Sequence, residues 1–138
     1  MTEHNQYSGN LTPEHVEERI REALKNGFDI VYSSPRTILL DLDDGESIIR
    51  YDEQIDMLAE HYGLYELESW KSKSGNKHVV LTLEAPIPDP KDRIILQLVL
   101  GSDPVREFLS LEQINNGVSQ DKMSMLFKPG RKKTCLKI

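Results

Sequence analysis

Two stretches of the chain, RTILLDLD over Arg36–Asp43 and KHVVLTLE over Lys77–Glu84, alternate with a period of two. In the first, Ile38, Leu40 and Leu42 point one way while Leu39, Asp41 and Asp43 point the other; in the second, Val79, Leu81 and Leu83 oppose His78, Val80 and Thr82. A strand with one fully apolar face needs a layer to cover it. Two helical patterns can supply that layer. Residues 52–62 place Ile55, Leu58, Ala59 and Tyr62 on one face and stop at Gly63; residues 91–100 place Ile94, Ile95, Leu98 and Val99 inside and stop at Gly101. Leu64–Lys71 reads as a further strand, hairpinned to Lys77–Glu84. Val105–Leu111 reads as a last core strand, with a helical turn as the alternative. Asp44-Gly45 reads as a turn. The order from Arg36 is therefore strand, helix, strand, strand, helix, strand. That predicts an α+β fold of the split βαβ kind: a four-stranded antiparallel sheet with helices on one face and the other face open.

Ahead of this core, Thr12-Pro13-Glu14 has the signature of a helix start, and Val16, Ile20, Ala23 and Leu24 follow with helical spacing up to Gly27. Asp29–Ser33 and Met123–Lys128 are short strand candidates. The chain of 138 residues suits one domain over 12–128, between a mobile polar stretch at 1–11 and a basic tail at 129–138. The net charge of −6 argues against a protein coated in basic charge, but the charge is uneven: no acidic residue follows Asp121, whereas Lys122, Lys128, Arg131, Lys132, Lys133 and Lys137 do. Cys135 is the one cysteine, so no intrachain disulfide forms. The first residues lack the apolar core of a signal peptide, and no run nears the roughly 18 apolar residues of a membrane span. The expectation is a cytoplasmic protein with no membrane partner.

Three features carry chemistry. In LLDLDDG, Asp41 and Asp43 leave the same strand face; paired carboxylates repel, and a divalent cation such as Mg²⁺ relieves that repulsion. The competing reading is acids gathered at a strand end. In KSKSGNKH, Gly75 permits a tight bend whose backbone N–H groups can cradle an anion, Lys73 and Lys77 add charge, Ser74 adds a hydroxyl, and His78 can hold a phosphate or hydroxyl. The competing reading is a solvated hairpin. In LGSDPVREF, Asp103 precedes the last expected strand, which lies beside the first, and so becomes a third acid near Asp41 and Asp43; alternatively it caps its own turn. In that strand diagram the first and third strands run parallel, which sets His78 near the opposite end from Asp43.

The series LLDLD, SGNKHVVL and GSD, spread over roughly residues 37–110, resembles the three motifs of the archaeo-eukaryotic primase superfamily, which includes the primase-polymerases. That family has an Asp-x-Asp at a strand end, a small-residue–x–His bend entering an apolar strand, and a later Asp. Asn76 stands two places before His78, where the family often has serine. The resemblance implies an RRM-like catalytic sheet, with Asp41, Asp43 and Asp103 as catalytic acids holding Mg²⁺ or Mn²⁺ and His78 contacting the phosphates of an incoming nucleotide. Lys73, Ser74, Gly75, Lys77 and Arg106 are the further candidates for phosphate binding. The function implied is metal-dependent nucleotidyl transfer in nucleic-acid replication. Its partners would be nucleoside triphosphates, single-stranded or template nucleic acid and other replication proteins. The alternative is a non-catalytic RRM-like module that binds single strands or serves replication as an accessory.

Overall fold

The computed structural model describes residues 11–72 and 74–130. It is a mixed α+β structure of four helices and two small antiparallel sheets. The elements are α1 (Pro13–Lys25), β1 (Phe28–Val31), β2 (Thr37–Leu42), α2 (Gly45–Tyr62), β3 (Leu64–Lys71), β4 (Lys77–Leu83), α3 (Pro90–Val99), α4 (Pro104–Asn115), a 3₁₀ turn (Gln120–Lys122) and β5 (Leu126–Pro129). One sheet runs β2-β4-β3, and the other is the pair β1-β5. Among the described residues no helix is long and apolar enough to cross a membrane.

The period-two alternation does what the sequence implies. Ile38, Leu40 and Leu42 join Val79, Leu81 and Leu83 in the main core, beneath Tyr51 of α2 and Leu96 and Leu100 of α3 and its cap. The opposite face is not open. Leu39 and Val80 pack there against Leu126 of β5, with Val31 and Trp70 beside them. The β1-β5 pair and α1 therefore roof the sheet, and α1 is held by Val16 and Ile20 packing on Val118, Ile30 and Met125.

Several boundaries differ from expectation. The helix expected at 52–62 begins at Gly45, because Asp44 is a cap rather than a turn residue: its carboxylate accepts from the Ser47 N–H at 2.8 Å. On α3 the buried face is Arg93, Ile94, Leu96 and Gln97, whereas Ile95, Leu98 and Val99 are exposed. The expected strand Val105–Leu111 is α4 instead. Asp103 caps it, Pro104 fills its first turn and Glu107 follows, a combination that stabilises a helix start. β5 extends through Pro129, and the Gly130 N–H bonds the Gly27 carbonyl at 3.0 Å, so strand pairing runs past the expected start of the tail. Residues 1–10 and 131–138 of the expected mobile ends lie outside the described residues.

Without a fourth strand beside it, the free edge of β2 would leave backbone groups unpaired, each costing about 1–3 kcal/mol if buried. Side chains and one loop amide take the place of a strand. The Leu39 N–H donates to Gln97 Oε1 (3.0 Å), and the Leu39 carbonyl accepts from Arg106 Nη1 (3.2 Å). The Asp41 N–H donates to Ser102 Oγ (3.0 Å), and the Asp41 carbonyl accepts from the Asp103 N–H (2.8 Å). This explains why Gln97, Ser102, Glu107, Ser110 and Ser124 are buried. Glu107 accepts from Gln97 Nε2 (2.7 Å), Ser102 Oγ (2.7 Å) and Arg106. Ser124, whose φ is +56°, turns its carbonyl to Arg106 and its hydroxyl to Gln97.

Candidate functional site

Strands β2 and β4 are antiparallel, and Asp41 is the cross-strand partner of His78. The expectation that parallel strands separate His78 from the acids is therefore corrected. His78 Nε2 lies 3.4 Å from Asp41 Oδ1, and Asn76 Nδ2 donates to the same oxygen at 3.1 Å. Burial alone would raise the Asp41 carboxyl, but the bonds from His78 and Asn76 and the charge of Arg106 outweigh it and hold the group below its ordinary value. Trp70, across from His78 on β3, meets the imidazole edge-on at 5.4 Å between ring centres. His78 Nδ1 and Trp70 Nε1 are both buried without a hydrogen-bond partner among the described residues.

Asp43 and Asp103 lie at the same end of β2. The Asp103 carboxyl is raised, first by burial and then by the charges of Asp43 and Asp41, against the opposing pull of the Val105 N–H and Arg106. Each acid is nonetheless committed. Asp43 accepts from Ser47 Oγ at 3.0 Å, Asp103 caps α4 through the Val105 N–H at 3.1 Å, and Asp41 is paired as described. Among the described residues no group of three or more His, Cys, Asp or Glu side chains is placed to hold a metal ion. The three acids are thus in one neighbourhood, each with a partner of its own.

The described residues of the hairpin bend bond one another. The Gly75 N–H donates to the Ser72 carbonyl (3.0 Å), the Asn76 N–H to Ser72 Oγ (3.2 Å), and the Ser72 and Ser74 hydroxyls bond each other (3.0 Å). Gly75 supplies the positive φ of +94° that the bend requires. These amides have internal partners, so Ser74 and Gly75 shape the turn here. Lys77 shares the parity of Val79 and so leaves the sheet face opposite His78. Lys73 lies outside the described residues. Arg106 stands close to Asp41, but its two terminal nitrogens serve Leu39, Ser102, Glu107 and Ser124.

A cavity of about 600 Å³ lies between the sheet and its roof. Asp41, His78 and Arg106 form one part of its lining; His15, Arg19 and Lys122 form another; Leu11, Leu109, Met125, Leu126 and Phe127 supply apolar wall. Lys122 is paired with Glu17, which raises its ammonium above the ordinary value. Arg19 is exposed and makes no ion pair or hydrogen bond among the described residues; its guanidinium lies 5.5 Å from the centre of the Phe127 ring. The sequence reading missed His15, Arg19, Lys122 and Phe127 as site residues. The one signal, the acid-free stretch after Asp121, covers Lys122 and Phe127 alone; nothing in the sequence says that α1, which carries His15 and Arg19, meets β5 over the sheet. No family model, no curated protein and no solved structure matches the chain.

Proposed function

We propose that this chain binds a nucleoside phosphate in the cavity between its three-stranded sheet and α1, as a nucleotide- or single-strand-binding module. One observation carries this reading. In a chain of net charge −6, the cavity is lined by Arg19, Arg106 and Lys122, with His15 and His78, and by one carboxylate, Asp41; Arg106 and Lys122 also carry ion pairs to Glu107 and Glu17. Guanidinium and ammonium groups suit phosphate, and the apolar wall of Leu11, Leu109, Met125, Leu126 and Phe127 suits the flat, poorly hydrated base. A volume of about 600 Å³ is right for one nucleotide. The similarity of LLDLD, SGNKHVVL and GSD to primase-polymerase motifs supports the same ligand class. The order β2-β4-β3 is compatible with an RRM-like sheet short of its fourth strand.

A second reading is metal-dependent nucleotidyl transfer in replication. It is favoured by one observation: Asp41, Asp43 and Asp103 gather at one end of β2, where the Asp103 N–H bonds the Asp41 carbonyl at 2.8 Å. Isothermal titration with ATP at low salt, with and without Mn²⁺, tests both readings. The binding module takes up ATP without metal and loses affinity as salt rises. A gain of tenfold or more on adding Mn²⁺, abolished by Asp41→Asn, would favour the second reading. No binding at millimolar ATP under either condition ends both.

A further inference from the structure

We propose that Arg19 and Phe127 form a base-stacking subsite of this cavity, a proposal that rests on the nucleoside-phosphate reading above. The two residues sit on separate elements, α1 and β5, and both line the cavity. The Arg19 guanidinium lies over the Phe127 ring, 5.5 Å from its centre. Phe28 braces that ring from β1, with centroids 6.4 Å apart and planes tilted by 52°. The placement follows from the amphipathic spacing of α1: Val16 and Ile20 are buried against Val118, and the flank bearing His15 and Arg19 is left over the cavity.

A guanidinium plane and an aromatic ring are the two side-chain platforms on which nucleobases stack. Here they face each other, and Arg19 has no carboxylate holding it among the described residues. A flat ring needs roughly 3.5 Å to each neighbour, so the gap must open to about 7 Å. Arg19 is exposed on a flexible stem and supplies that movement, while Phe127 stays fixed by its strand and by Phe28. The base then enters the sandwich, and the phosphates extend along the rest of the cationic lining.

The test compares ATP with inorganic tripolyphosphate, both without metal and at low salt. The wild-type chain should bind ATP roughly 5- to 100-fold more tightly, the worth of one stacked base. Phe127→Leu should remove most of that advantage and leave tripolyphosphate affinity unchanged. Arg19→Gln, at an exposed position that spares the fold, should lower ATP affinity by a larger factor than tripolyphosphate affinity. Equal binding of ATP and tripolyphosphate by the wild type overturns the base subsite and leaves phosphate binding standing. Wild-type ATP affinity in a folded Phe127→Leu or Arg19→Gln variant also overturns it. If neither ligand binds, both this subsite and the nucleoside-phosphate reading are wrong.

Discussion

Replacing Arg106 by alanine should cost this fold about 3–5 kcal/mol, the usual penalty for removing one partner of a buried ion pair. Glu107 is fully buried, and Arg106 is the one cation ion-paired with it among the described residues. The substitution also strips a donor from the carbonyls of Leu39 and Ser124, which loosens both β2 and the turn before β5. Against a typical total of about 5–15 kcal/mol, this is a large fraction of the stability. The deficit should depend on pH. Burial holds the Glu107 carboxyl above its ordinary value, with Arg106 first among the groups pulling it back, so the variant should raise it further. A carboxyl raised on folding contributes its stability below its unfolded value, about 4.3, and loses it as pH rises through the folded value. Urea midpoints should therefore show the smaller loss near about pH 5 and the larger near about pH 8. A loss under about 1 kcal/mol, or one equal at both pH values, would contradict the role given to this pair.

Gly101→Ala should destabilise by about 3 kcal/mol, the sum of a left-handed backbone cost and an overpacking cost. Gly101 has a φ of +101°, and an added Cβ would stand 2.7 Å from the Ser47 carbonyl oxygen of α2. That atom is helix backbone and cannot turn aside. The strain would pass directly to Ser102 and Asp103, whose groups bond both backbone atoms of Asp41. Gly117→Ala is the internal control. Its φ of +91° is also positive, but nothing lies within 4 Å of the added carbon, so only the backbone cost of about 1 kcal/mol remains. Equal urea midpoints for the two variants would mean that the close approach of Gly101 to α2 has no energetic weight.

The parts of the fold legible in the sequence were those set by local rules. The alternations in β2 and β4 announced their two faces, Thr12-Pro13 announced the start of α1, and Gly63, at φ +66°, announced the end of α2. Val105–Leu111 is helical although its apolar residues also suit a fourth strand of the expected topology. Asp103-Pro104, followed by Glu107, already carried the chemistry of a helix start. The face of α3 was misplaced for a related reason. Gln97 and Arg93 are buried where apolar residues were expected, because Gln97 pairs with the β2 edge and Arg93 bonds the carbonyls of Ile87 and Pro88. No local pattern marks a polar side chain that replaces a strand.

The candidate site was legible in part. Asp41, His78 and Asp103 are brought together, the first two as direct cross-strand partners and the third through its N–H to the Asp41 carbonyl. The hairpin residues Ser74 and Gly75 shape the turn, and the basic lining comes from α1, α4 and the segment after α4. The central claim, that a nucleoside phosphate occupies this cavity, is tested most directly by nuclear magnetic resonance of the labelled chain during an ATP titration. Shifts should concentrate at the lining residues Arg19, Asp41, His78, Arg106 and Phe127, and spare the apolar groove on the opposite side at Leu58, Ile95 and Val99. Shifts confined to that groove or to the hairpin, or none at millimolar ATP, would contradict the account.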